Sequence, residues 1–184
     1  MQLKNDATRY GIVAQLFHWA VVALIITQFY LANKAEDLAL GPAKIATLAT
    51  HDFGMTIFGL ALLRLIWRWF NPVPALPTGS PAWQRRAAHV SRWALYGLIF
   101  ITPLFGWMMS SARNVPVSGF GVLTLPDLVR PDTARYEFFH EVHEVLASAL
   151  FVIALLHAVA ALKHHCIDTD NVLRRLLPVK FKPE

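Results

Sequence analysis

The chain has 184 residues, 55% of them hydrophobic and only 16% charged, with a formal net charge of +5; its mean hydropathy is +0.42. That composition excludes an ordinary soluble globular domain and points to a membrane protein. A single cysteine, Cys166, excludes an internal disulfide, a Cys-ligated structural zinc and a multi-cysteine iron–sulfur cluster, so redox chemistry would have to use histidine or a cofactor.

Four runs approach the roughly 20 apolar residues that a bilayer core of about 30 Å asks of a helix. The first, 12–32, carries His18 within "LFHWAVVALI". It is too long for a signal-peptide core and no favourable cleavage site follows it, so it reads as a retained anchor. The second, 48–70, begins near His51 and ends on "LLRLIWR", which holds Arg64 and Arg68. Next comes "NPVPALPTGSPAW", whose prolines, glycine and serine mark a short exposed connector. Arg85, Arg86, His89 and Arg92 cluster around the start of the third run, 88–109. The loop "SARNVPVSGFGVLTLPDLVRPDTARYE" follows and is expected to hold a short surface helix. The fourth run, 142–164, contains His143, His157 and His164. The expected architecture is all-α, an integral membrane four-helix bundle forming one domain over residues 1–184.

Lysine and arginine set the expected orientation, because cytoplasmic segments hold the excess of them. With both termini inside, Lys4, Arg9, Arg64, Arg68, Arg85, Arg86, Arg92, Lys163, Arg174, Arg175, Lys180 and Lys182 lie on the inner side. Only Lys34, Lys44, Arg113, Arg130 and Arg135 lie outside. Twelve against five favours N-in and C-in. These basic residues flank apolar runs and form no nucleic-acid motif, so no nucleic-acid partner is expected. The six tryptophans fit an aromatic belt at the two interfaces.

A histidine inside a lipid-spanning helix is unfavourable unless its ring is bound or hydrogen-bonded. His143 and His157 are 14 residues apart, which on a helix means about 40° in direction and about 21 Å along the axis. One metal ion cannot use both, whereas two sites stacked across the membrane can. His18 and His157 share an inner depth, and His51 and His143 share an outer one. Imidazole pairs from facing helices, one pair per leaflet, suit two b-type haems held by bis-histidine ligation. With no CxxCH in the chain, attachment would be non-covalent. Arg64, Arg68, Arg92 and His89 are expected near inner propionates or a quinone head group. His164 continues the stripe of His157 and is a candidate for the quinone site. His140 and His165 sit at the interfaces and read as solvated. "HEVHE" lacks the HExxH spacing of a zinc protease. A divalent-metal transporter would want midplane carboxylates, but Asp52, Glu141 and Glu144 fall near the outer edge.

In order along nearly the whole chain, "LFHWAVVALI", "LLRLIWR", "FGVLTLPD", "HEVLASALFVIALLHAVAALKHH" and "DNVLRRLLP" resemble the bacterial cytochrome b561 family of inner-membrane di-haem cytochromes. The resemblance implies that His18, His51, His143 and His157 ligate haem iron, that a quinone is the partner, and that superoxide is the outer-face electron donor, as in members that pass electrons to ubiquinone. One departure stands out: "HDFG" puts Gly54 three residues after His51, where the family pattern has four. The expectation is therefore an oxidoreductase of the inner membrane with two haem b, lying among membrane lipid and moving electrons from an outer donor to a quinone. The alternative is an anchor cytochrome docking a soluble dehydrogenase; the short loops weigh against it.

Overall fold

The computed structural model describes residues 2–39, 41, 53–74, 81–119 and 122–177. Among these the chain forms four α-helices: α1 (Ile12–Asp37), α2 (Gly54–Trp69), α3 (Ala82–Ala112) and α4 (Thr133–Cys166). A hairpin of β1 (Val117–Gly119) and β2 (Leu123–Leu125) lies between α3 and α4, and a short 3₁₀ turn, Arg174–Leu176, follows α4.

Within the described residues three spans, Ile12–Ala35, Ala82–Ala112 and Thr133–Cys166, are long and apolar enough to cross a membrane. At 1.5 Å per residue the 34 residues of α4 reach about 51 Å, far beyond a core of about 30 Å. It starts nine residues before the expected 142 because Asp132 caps it, its side chain accepting from the Arg135 amide at 2.9 Å. Its last turn carries Lys163, His164 and His165, cations that suit the negative end of the helix dipole. The 16 residues of α2 cover only about 24 Å, and the expected remainder, residues 48–52, lies outside the described residues.

α3 stops where it does for a local reason. Asn114 adopts φ 56°, a left-handed conformation that asparagine tolerates, and the amides of Arg113, Asn114 and Val115 turn back to the carbonyls of Ser110 and Ser111. Pro116 then forbids a restart. The loop expected to hold a short surface helix folds as an antiparallel hairpin, with Val117 opposite Leu125 and Gly119 opposite Leu123. The helix expectation is corrected by the alternation Val-Ser-Gly and Leu-Thr-Leu between Pro116 and Pro126, which suits a half-buried strand pair. The loop is tied to the end of α3 by Trp107 Nε1 donating to the Pro126 carbonyl at 3.0 Å and the Leu128 amide donating to Ser111 Oγ at 3.1 Å.

The helices alternate in direction. Asn5, ahead of α1, donates to the carbonyl of Pro72 beyond α2, and Trp19 Nε1 donates to the Leu176 carbonyl beyond α4. At the opposite end Gly54 approaches Pro103, and the Asp132 amide reaches the Ala112 carbonyl at 3.0 Å. Val21, Ile57, Ala61, Ile99 and Leu150 form one buried cluster to which all four helices contribute, and the Phe29 and Phe151 rings, 4.9 Å apart, join α1 to α4. Outside this layer the pattern is inverted relative to a water-soluble bundle: Leu16, Ile26, Val145 and Leu156 are more than 60% exposed. Lipid contact accounts for such a surface, because the hydrophobic effect does not drive apolar side chains out of hydrocarbon.

Candidate functional site

Two polar layers lie above and below that apolar cluster. In one, His18 of α1 and His157 of α4 lie within electrostatic range of each other, and both feel Arg64 of α2. His18 Nδ1 is buried and has no hydrogen-bond partner among the described residues, while the ring packs edge-on against Trp19 at 5.2 Å. An imidazole nitrogen so placed is costly, by about 1–3 kcal/mol, unless something binds it.

Arg64 and Arg68 are four residues apart on α2, and Arg92 and Tyr96 are four apart on α3, so each pair shares a helix face. The four line a small cavity of about 50 Å³ with Tyr10 and Trp67. The Arg64 guanidinium sits 5.8 Å from the centre of the Tyr96 ring, within cation–π range. Among the described residues the ion pairs involve Lys34, Lys163 and His164, so none of these three arginines is matched by a carboxylate. The layer therefore offers concentrated positive charge to an anion.

Backbone and side-chain ties close this layer from below. The Tyr10 amide donates to the Arg175 carbonyl at 3.4 Å, Arg9 reaches the Leu177 carbonyl at 2.8 Å, and the Gly11 amide donates to Asn5 Oδ1 at 2.9 Å. Gly11 has no alternative there, since a Cβ would stand 2.3 Å from the Leu3 carbonyl oxygen.

The other layer is built differently. His143 of α4 points at α3, where its Nδ1 lies 3.0 Å from the Thr102 carbonyl and its ring lies over Gly106. α4 runs without interruption from Thr133 to Cys166, so the about 21 Å separation from His157 holds. His51 lies outside the described residues. At the same end Arg113 stacks on the Tyr136 ring at 4.5 Å and donates to its hydroxyl at 2.9 Å, and Tyr136 packs against His140 at 5.6 Å.

Other expected residues are placed as follows. His89 is exposed on α3, packs against Trp93 at 6.3 Å and does not line the arginine cavity. His164 is largely buried, its Nδ1 2.7 Å from Asp170 and 3.2 Å from Asp168, while Lys163 binds Asp168 at 2.6 Å. Thr102 and Gly106 were not singled out from sequence. A mid-helix glycine was the available signal; a carbonyl partner has no sequence signature at all.

A bundle that exposes its apolar side chains and keeps imidazoles and arginines without carboxylate partners inside defines a membrane protein with a polar, cationic interior site. The family model described as prokaryotic cytochrome b561 matches residues 9–178, and the chain belongs to that family. It is 32% identical over 180 residues to cytochrome b561 homolog 2 of Escherichia coli K12, covering 96% of this chain and 95% of the relative. Cytochrome b561 homolog 1 of the same organism is 31% identical over 130 residues, covering 70% and 72%. A Yersinia pestis protein named probable superoxide oxidase CybB is 27% identical over 184 residues, covering 98% and 99%. The chain is thus a multi-pass electron carrier of the bacterial inner membrane, in a family that binds haem b.

The residues present suit that group. Imidazoles are its usual axial donors in such bundles, His18 offers a buried one whose Nδ1 has no partner among the described residues, and arginines without carboxylate partners suit its carboxylate arms.

Proposed function

We propose that residues 1–184 form one cytochrome domain, oriented with both termini in the cytoplasm, that takes electrons from an anionic donor at the outer face and gives them to a quinone. In this reading His18 and His157 hold an inner haem b, His51 and His143 hold an outer one, and Arg64, Arg68 and Arg92 meet the inner carboxylate arms. The observation that carries it is the inner layer, where two imidazoles from different helices lie beside three arginines lacking carboxylate partners. Haem b, when bound, supplies reversible one-electron exchange at iron.

The chain's own residues then bias the direction. Positive charge at Arg64 beside His18 and His157 favours the electron-rich state of the group they carry. The Thr102 carbonyl, polarising His143, favours the electron-poor state. Electrons accordingly run inward, from the outer layer to the inner.

Superoxide is the proposed donor. The name of the Yersinia relative supports this, and Arg113, held beside Tyr136 and His140 at the outer end, supplies a local cation for a small anion. Two superoxide ions each lose one electron and leave as dioxygen. The two electrons and two protons from the inner side convert one quinone, ubiquinone by the family likeness, to its quinol. In this reading His164, which lies against Asp170, passes those protons.

The test is a reduced-minus-oxidised absorption spectrum of the purified protein with haem quantified against protein. Two low-spin b haems per chain are expected. One would remove the outer site from the scheme, and none would overturn it.

A further inference from the structure

α3 meets His143 with two backbone features one turn apart. The Thr102 carbonyl oxygen lies 3.0 Å from Nδ1. A carbonyl can only accept, so Nδ1 carries the proton and the neutral ring keeps its lone pair on Nε2. Four residues on, and therefore on the same face of α3, Gly106 lies against the ring. A Cβ there would stand 3.0 Å from Cε1 and 3.2 Å from Nδ1, so the imidazole reaches the carbonyl by passing across a residue with no side chain. Glycine is unfavourable inside a helix, and this contact is a reason for it. Among the described residues nothing lies within 4 Å of the Cβ position of Gly97, on the same helix. Thr102 is only 6% exposed, so water does not compete for its carbonyl.

We propose that the Thr102–Gly106 turn of α3 is the positioning element of the outer imidazole: the Thr102 carbonyl fixes the tautomer and rotation of the His143 ring, Gly106 admits the ring, and together they lower the potential of the outer redox centre. The inference rests on the reading of His143 as a haem ligand. Donation from Nδ1–H to a carbonyl raises electron density on Nε2, which stabilises the oxidised metal.

Three variants test it on the haem-loaded protein, read by low-spin electron paramagnetic resonance and by redox titration of each haem. His143→Ala identifies the outer component as the one that disappears; if both haems remain, the ligand reading fails, and the positioning role with it, before any glycine variant is considered. With that component identified, Gly106→Ala is expected to shift its g values and raise its midpoint potential while the other haem is unchanged. Gly97→Ala is expected to leave both haems as they were. Parent-like signals in Gly106→Ala or an equal shift in Gly97→Ala would each overturn the proposal. Independently of whether Gly106→Ala accumulates, the ¹⁵N-histidine spectrum of the reduced parent is expected to show the His143 Nδ1–H, recognised by its loss in His143→Ala, in slow exchange with solvent. Rapid exchange there would overturn the proposal too.

Discussion

The inner and outer layers pose the same problem, holding an imidazole inside a membrane bundle, and answer it in different ways. The inner layer works by charge. His18 and His157 face arginines drawn from α2 and α3, and both chain ends are tied beneath them. The outer layer works by backbone. His143 is held by a carbonyl and a missing Cβ, and Arg113, at that end, is turned to Tyr136. Charge acts over distance and tunes energy; a carbonyl at 3.0 Å fixes orientation. In the proposed reading, in which electrons move one way through two similar centres, such a difference is needed.

The strongest way to break the comparison is to remove one imidazole from each layer. His157→Ala and His143→Ala are each expected to lose one haem, with different spectral components disappearing. Loss of the same component from both would show that the layers are not separate sites. A smaller effect is expected from Arg64→Gln. Removing that cation should lower the inner midpoint potential by an amount on the order of 1 kcal/mol, leaving the outer one in place, as read by redox titration. An unchanged inner potential would mean that charge does not distinguish the layers.

Next in size, Arg113→Ala is expected to slow superoxide-driven quinone reduction by roughly threefold, with a weaker dependence on ionic strength. Stopped-flow rates at low and high salt measure this, and a rate equal to the parent's would remove Arg113 from the donor path. The smallest effect concerns the inner closure. The Asp6 carboxyl is held well below the usual carboxylate range, first by Gln2 and then by Thr8 and the Arg9 amide. A depressed folded value means that its contribution is present above the unfolded value, near 4, and disappears only as pH falls through the lower folded value. Amide protection at residues 8 and 9, corrected for intrinsic exchange, should therefore be the same at pH 7 and pH 4, and lower in Asp6→Asn at both. Loss of protection between pH 7 and pH 4 would contradict the hydrogen bonds at Asp6.

Much of this was legible in the chain. Apolar run length and the 14-residue step between His143 and His157 depend only on helix geometry, and the Arg64–Arg68 spacing follows from the same rise and turn. Helix ends were less legible. α4 begins early because of an Asp132 cap, and the loop before it pairs as a hairpin, where short alternation between prolines competes weakly with a helix reading. His89 looked like a member of the arginine cluster by position, yet it is exposed and does not line the cavity, lying about 60° round the helix from Arg92 and about 4.5 Å nearer the start of α3.

By itself, then, the sequence determined that this protein lives in a membrane, that its interior carries imidazoles at two depths and that its basic charge gathers at one end, because hydropathy, spacing and charge are properties of a linear string. Only the tertiary structure decided that Thr102 and Gly106 meet His143, that three arginines from two helices share one cavity, and that the two chain ends are joined beneath it. Those contacts depend on which helix faces which, and a backbone carbonyl has the same chemistry at every residue until packing selects one.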